Sequence, residues 1–588
     1  MWLVIVLCFF MMGCSAKYHR DNNMGLEQEG IEVSQVFYNI KEKKANNNEF
    51  DKGSKIEEII VSEEKINDLT LLGKIWGYLK YYHPNVSKGK YNWDYELFRV
   101  LPKILDTENI TERDEILFNW IESQGEFEVI EDTKVRSEKT KIIPDLEWTL
   151  NSDLDEKLVL QLSNIKDAKR TGKNYYVSFI EGVKNPEFKN ENPYPLMEYS
   201  DTGYRLLSLY RYWNIIEYYF PYKHLIEEDW DDVLREFIPK FIEAENELEY
   251  KLTVLELIGR VNDTHANVYN DKTLLNHWGI NFAPVRITFV ENKAVVTGYH
   301  DNELGEKSGL KVGDIITKVN NKTVEDIVED RLKYTPASNY PTKLRDIAIS
   351  LLRTKEDSLD IEFLRDGKIE SVQIQCLPAT EMSVSIFKPE DTHFKFINPD
   401  IAYIYPGLIK NKDIPEIMTK IKDTKGLIID WRCYPSDFTV FTLGQHLLPQ
   451  STEFVKFTQG SISEPGLFEM TEPLEVGKEN SDYYKGKVVI IINELTQSSA
   501  EYHTMAFRTA PNAVVIGSTT AGADGNVSQF SLPGGINTGM SGIGVYYPDG
   551  TETQRIGIVP DIEIRPTIEG VKEGRDELLE KAIKIINE

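Results

Sequence analysis

Ser498 occupies a position from which a hydroxyl could act as a nucleophile. Five consecutive β-branched residues, 488–492 (VVIII), read as a buried strand, and the polar turn 493–497 leads into a helical pattern opening near Ser499. A serine on such a strand-to-helix elbow presents its hydroxyl above the sheet edge. There the first unpaired N–H groups of the helix, and its positive dipole end, can receive an oxyanion. The same residues have a plainer use: serine is a favoured N-cap, and Glu501, three positions on, would complete a capping box. The stretch alone leaves both readings open. A nucleophilic serine also needs a general base within hydrogen-bond reach.

The elements that would position Ser498 lie on both sides of it. From about residue 398 the pattern alternates strand and helix (IAYIYPG, IPEIMTKIK, GLIIDWR, KVVIIIN, AVVIGS), which predicts an α/β core with parallel strands. The site of such a core lies at the C-terminal ends of its strands, where both GLIIDWR and Ser498 fall. Further upstream the chain repeats itself at an offset of 137 residues: Trp76, Tyr81, Tyr82, Pro84, Trp93, Asp94, Leu97, Pro102 and Lys103 match Trp213, Tyr218, Tyr219, Pro221, Trp230, Asp231, Leu234, Pro239 and Lys240. Two copies of one helical unit are expected, with the matched aromatics as packing. Residues 125–200 between them alternate (KLVLQLSNI, NYYVSFIEG) and predict a small β insertion. The second copy ends in Asp263-Thr264-His265; the corresponding place in the first copy carries no histidine, so packing of the unit does not require one. Residues 279–380 read as a small β domain. Within it SGLKVGDIITKVNNKTV, 308–324, looks like a PDZ domain, with a tight hairpin at Asn320 and Asn321. Such domains add an extended peptide to a sheet edge.

Composition sets outer limits. The chain has 588 residues, 41% hydrophobic and 28% charged, as in a soluble multidomain protein, and a net charge of -28 that argues against nucleic-acid partners. Residues 2–13 are apolar without a break, too short to span a membrane but suited to a signal-peptide core. The Met-Met-Gly-Cys junction resembles a bacterial lipoprotein cleavage site, with Cys14 as the lipidated first residue. Residues 1–14 are then the signal, and residues 15–62, rich in Asn, Lys and Glu, a flexible tether. Of four cysteines only Cys376 and Cys433 would remain unmodified, so no disulfide framework is expected. No H-E-x-x-H or G-x-S-x-G pattern occurs, which disfavours a zinc peptidase and an α/β-hydrolase esterase, and neither metal nor cofactor is expected.

Thr496, Ser498 and Glu501 form T-x-S-x-x-E after an apolar strand. Together with GLIIDWR, the PDZ-like segment, Asp263-Thr264-His265 and the run DG-x-x-x-x-x-x-GIVPDI, this pattern resembles the tail-specific (C-terminal processing) serine proteases and their tricorn-core relatives, over roughly residues 205–570. The resemblance implies a multidomain α+β protein: a helical domain at 63–275, a PDZ-like domain at 279–380 and a crotonase-like α/β protease core at 385–588. It implies Ser498 as nucleophile. The tail-specific branch takes its base from a lysine about two dozen residues on, but Ala523 stands there and no lysine lies between Lys487 and Lys572. The tricorn-like solution remains, with His265 as base and the Ser499 amide in the oxyanion hole. The orienting residue falls at Gln554, with Glu552 as the charged alternative. The family's Gly-rich turn after GLIIDWR is here Cys433-Tyr434-Pro435-Ser436, so a second oxyanion amide would come from Cys433 or Tyr434. The function implied is a serine endopeptidase of the cell envelope, lipid-anchored to an outer membrane or cell surface and acting on peptides or unfolded proteins. The rival is a non-catalytic peptide-binding protein on the same scaffold.

Overall fold

A computed structural model describes residues 48–56, 58–130, 136–150, 153–388 and 390–588. The signal segment and Cys14 lie outside these residues. None of the described helices is long and apolar enough to cross a membrane.

Helices Glu63–Tyr82 and Trp93–Leu105 pack as a pair, as do Thr202–Tyr219 and Trp230–Glu243. Each pair is closed by the same reciprocal bond. The Trp76 indole donates to the Trp93 carbonyl at 3.0 Å and Trp93 returns the bond at 2.8 Å; Trp213 and Trp230 do the same at 2.7 and 3.1 Å. Buried indole N–H groups need acceptors, and in each pair a backbone carbonyl of the partner helix supplies one. Side-chain caps from Ser62, Asn92, Asp201 and Asp229 start the four helices.

Two expectations are corrected. The tether does not extend to residue 62: Phe50, Ile56 and Ile59 are buried on the helical domain, and the Phe50 carbonyl accepts from the Tyr204 hydroxyl at 2.7 Å. Polar composition hid these three anchors, which are spaced too widely to give a periodic signal. The insertion is not purely β either. KLVLQLSNI lies within the helix Glu156–Lys166, whose inward face is Leu158, Leu162 and Ile165. A run that alternates over a few residues can also satisfy helical spacing, and packing decides between them. The strand Val177–Phe179 does form, hairpinned with Pro186–Phe188.

A fully buried ion cluster ties this region together. Arg211 pairs with Asp94 and Glu191 at 2.9 Å each and donates to the carbonyls of Asn192 and Ser531, while Lys80 pairs with Glu191 at 2.6 Å. Removing one partner strands the others in a low-dielectric interior. Arg211→Leu is therefore expected to cost about 3–5 kcal/mol. A lowered midpoint in calorimetry of the variant would show it, and an unchanged midpoint would show that the cluster relaxes.

Residues 281–375 contain an antiparallel sheet in the order Lys368–Gln375, Ser358–Arg365, Ile315–Val319, Lys293–Tyr299, Val285–Val290, with helices Val324–Leu332 and Tyr340–Leu351. Asn320 and Asn321 both have positive φ, 48° and 65°, in a two-residue hairpin closed by the Val319–Lys322 pair. The C-terminal sheet runs Phe394–Asn398, Ile401–Ile404, Gly426–Asp430, Lys487–Ile492, Ala513–Gly517, Ile562–Glu563, parallel except for its first pair. This is the α/β core that the alternating pattern predicts. It is not a detached unit. The hairpin Val527–Leu532/Ile536–Ser541 inserts Phe530, Leu532, Ile536 and Met540 into the core of the helical domain, and Thr140–Ile142 of the insertion pairs with Phe468–Met470.

Candidate active site

The strand Lys487–Ile492 ends beside Gly426–Asp430, and the turn after it is pinned by Thr496, whose hydroxyl donates to the Trp431 carbonyl at 2.8 Å. Ser498 follows with φ 54° and ψ -118°. An ordinary N-cap sits in the extended region. A non-glycine residue held in the left-handed half of the map costs about 1–3 kcal/mol and persists only where its surroundings enforce it, a condition concentrated at active sites. A strand-to-helix turn strained in this way is a geometry that a nucleophile elbow also uses.

Glu501 does the enforcing. Its carboxylate is wholly buried and accepts from the amides of Ser498 (2.9 Å), Gly522 (2.9 Å) and Ala523 (3.1 Å) and from the Thr520 hydroxyl. Burial raises its pKa and these donors oppose the rise. The glutamate thus clamps the loop 520–523 under the elbow, a larger task than closing a helix cap. Gly522, at φ 66°, is required there, because a Cβ would come within 2.9 Å of the Arg555 backbone. Ala523, in the position where the tail-specific lysine would stand, takes the Ser498 N–H on its carbonyl at 3.1 Å.

Ser499 opens the helix Ser499–Phe507, so its amide is one of those with no intrahelical acceptor. Its carbonyl accepts from Nδ1 of the buried His503, whose Nε2 in turn accepts from the Thr439 amide at 2.9 Å. Both bonds require a neutral ring, consistent with burial holding its pKa down at about 4.

His265 follows the helix Glu247–Arg260 in a turn that faces the hairpin strand Ile536–Ser541. Its Nδ1 lies 2.9 Å from Ser541 Oγ, and Ser541 Oγ donates to Asp263 Oδ1 at 2.9 Å. With that proton committed, Ser541 accepts Nδ1–H and leaves Nε2 as the unprotonated nitrogen, the tautomer a base needs. Asp263, fully buried, also receives the amides of Ser541 (2.6 Å) and His265 (3.1 Å), and its Oδ1 is 4.0 Å from the His265 ring nitrogen. Burial lowers the His265 pKa and the Asp263 charge partly opposes this.

Gln554 is buried and donates from Nε2 to Asp263 Oδ1 at 3.3 Å, so it supports the carboxylate instead of the imidazole. Glu552 is engaged elsewhere, with His224 at 2.7 Å and Lys141 at 3.0 Å. Among the described residues, neither residue read as the orienting group hydrogen-bonds to His265. That place is taken by Ser541 and Asp263. Asp263 was visible two residues before the histidine, whereas Ser541 lies in a strand 276 residues away with no motif to mark it.

The Ser498 and His265 segments both contact the loop 521–523. Ala523 bonds the Ser498 amide, and Thr264 Oγ1 lies 3.5 Å from the Ala521 carbonyl. Among the described residues no hydrogen bond joins the Ser498 and His265 side chains. The Ser498 side chain bonds instead with the Tyr434 hydroxyl. Cys433 is buried, its thiol directed at the Asp430 carbonyl at 3.5 Å and pushed up in pKa by burial, so it is no nucleophile. Arg432 of GLIIDWR grips Asp430 and Asp576, which fixes the C-terminal helix Glu577–Asn587 to the sheet.

Comparison with known proteins agrees with this architecture. No curated protein matches the chain. Among solved structures, mature CPAF is similar at 14% identity, covering 66% of this chain and 96% of its own, with a TM-score of 0.50. A crystal structure of a CPAF point mutant gives 14%, 66%, 98% and 0.52. At that identity the likeness is one of fold. Residues 400–564, which hold the parallel sheet and Ser498, match the family model Peptidase family S41. The family match is to this core alone, and it identifies residues 400–564 as a peptidase family S41 domain.

Proposed function

We propose that the chain is an endopeptidase in which Ser498 attacks the scissile carbonyl and His265 acts first as base and then as acid. The observation that carries this reading is the backbone of Ser498, held at φ 54° on a helix N-terminus by the buried Glu501. Asp263 would stabilise the imidazolium through Ser541, and the Ser499 amide would donate to the oxyanion. Fluorophosphonate labelling of purified protein tests the reading: the adduct is expected on Ser498 by mass spectrometry.

The PDZ-like domain would present substrate. Val285–Val290 is the terminal strand of its sheet, flanked by the helix Tyr340–Leu351, an arrangement suited to adding a peptide strand. The same helix is tied to the catalytic loops: Asn339 Nδ2 donates to the carbonyls of Thr520 (2.9 Å) and Arg555 (3.3 Å), and Ser338 bonds Thr264. Amidating the C-terminus of a bound peptide should weaken its affinity, and equal affinity for acid and amide would count against carboxylate capture. A lipid anchor at Cys14 and an envelope location are part of the same proposal, supported by the Gly13-Cys14 junction in the sequence. Intact mass of the mature protein tests them, since an unacylated N-terminus elsewhere would rule the anchor out. One observation favours a second reading, a peptide-binding protein without catalysis: the Ser498 hydroxyl is bonded to Tyr434 and not to the imidazole. Catalytic hydrogen bonds often tighten only with substrate bound, and the labelling experiment separates the two readings.

A further inference from the structure

An oxyanion hole draws its amides from different parts of the chain, and its value depends on how firmly their separation is fixed. One donor here is the Ser499 amide, at the start of the helix Ser499–Phe507. The other comes from the turn after Gly426–Asp430. In that turn the Arg432 N–H is bonded to Asp430 Oδ1 at 3.1 Å, Pro435 has no N–H, and the Ser436 N–H is bonded to the Pro406 carbonyl at 3.1 Å. The Cys433 N–H makes no hydrogen bond among the described residues, so it is open to an incoming oxygen.

This turn is tied to the nucleophile segment at both ends. At its start Thr496 Oγ1 donates to the Trp431 carbonyl at 2.8 Å. At its end the buried Thr439 amide, just ahead of the helix Val440–Leu447, donates to His503 Nε2 at 2.9 Å. The same ring reaches back to the nucleophile's neighbour, with Nδ1–H donating to the Ser499 carbonyl. We propose that His503 is a positioning residue of the oxyanion hole: its imidazole spans the helix that carries the Ser499 amide and the turn that carries the Cys433 amide, and fixes the distance between them. The inference rests on Ser498 being the nucleophile.

The chemistry of the ring suits this use. An amide N–H can only donate, so Nε2 is unprotonated and the single ring proton is on Nδ1. Burial holds the pKa at about 4, with the Ser499 carbonyl and the Asp437 charge opposing, so the ring stays neutral at neutral pH. Aromatic packing keeps it from turning: its centroid lies 4.7 Å from that of Trp431, 5.2 Å from Phe438 and 5.8 Å from Phe507. The two bonds are not equivalent. The Ser499 carbonyl also has its place in the helix ladder, whereas the Thr439 amide has no other acceptor among the described residues. The Nε2 bond is the one that holds the turn.

Three substitutions separate the bonds from the packing. H503F keeps a ring beside Trp431 and Phe438 and deletes both hydrogen bonds. H503Q puts an acceptor where Nε2 stands and can still take the Thr439 N–H. H503N puts its amide where Nδ1 stands, within reach of Ser499 but short of Thr439. We expect kcat to fall about 10²-fold in H503F and H503N, with KM little changed, and most of that loss to be recovered in H503Q. Affinity for a peptide aldehyde, whose adduct on Ser498 carries the oxyanion, should follow kcat, while affinity for the product peptide stays unchanged. Equal turnover of H503Q and H503N would overturn the proposal, because the bond to Thr439 would then not matter. Losses that vanish when turnover is counted per folded molecule would overturn it too, by making His503 a core residue. If H503F does not fold, the comparison of H503Q with H503N decides. Fluorophosphonate labelling of wild type but not of Ser498→Ala keeps the nucleophile assignment whatever these variants do. An unlabelled wild type removes that assignment and this proposal with it.

Discussion

Ser498→Ala is expected to abolish peptide hydrolysis, by about 10⁶-fold in kcat on the scale of a serine-peptidase nucleophile, and to leave the fold intact. The side chain is small, so alanine opens no cavity of consequence and gives up only the Oγ half of the capping box and the contact with Tyr434. Alanine also keeps the amide that Glu501 and Ala523 hold, since those bonds are made by the backbone. The strained conformation should therefore persist in the variant, with a thermal midpoint close to wild type. The measurement is turnover of an unfolded protein or fluorogenic peptide alongside calorimetry. Undiminished turnover would move the chemistry to another residue. Loss of both activity and folding would return Ser498 to the role of helix cap.

His265→Ala should lose activity to about the extent of Ser498→Ala, and the double variant should be little worse than either, because members of a catalytic unit act together. The pH profile gives an independent readout. Only neutral imidazole accepts the serine proton, so kcat/KM should rise with pH through the His265 titration. Burial lowers that pKa, hence the acid limb should lie below the ordinary value of about 6.5. Stability has the same sign. Between the unfolded value near 6.5 and the lower folded value, the unfolded chain binds the extra proton, so stability is lost as pH falls through that window. His503, held at about 4, adds to the loss in the same direction. An acid limb above 6.5, or a His265→Ala protein that is destabilised yet turns over normally per folded molecule, would make this histidine a core residue.

The clearest part of the site in the sequence was the nucleophile segment, because everything that builds it is local. A β-branched run makes the strand, a polar turn ends it, and Glu501 lies one helical turn beyond Ser498. The same stretch could not say whether serine capped the helix or stood strained on an elbow. A capping box and a clamp use the same two residue types at the same spacing, and φ is not written in composition. His265 was legible through the asymmetry of the two helical copies. Its partners were not. Gln554 and Glu552 were read from their place before GIVPD, but the hairpin that carries them turns Gln554 onto Asp263 and leaves Glu552 with His224 and Lys141.

Sequence alone determined the order of the parts, the duplicated helical pairs, the parallel core, the absence of a nearby lysine and the positions of Ser498 and His265, because each rests on periodicity, turn chemistry or residue type over short spans. Tertiary structure decided the rest. It set Ser541 between His265 and Asp263, brought the Tyr434 hydroxyl to Ser498, packed residues 50–59 onto the helices and drove the hairpin at 527–541 into their core. Those contacts join residues tens to hundreds of positions apart, and such pairings are fixed only when apolar faces find each other and buried polar atoms must then be matched.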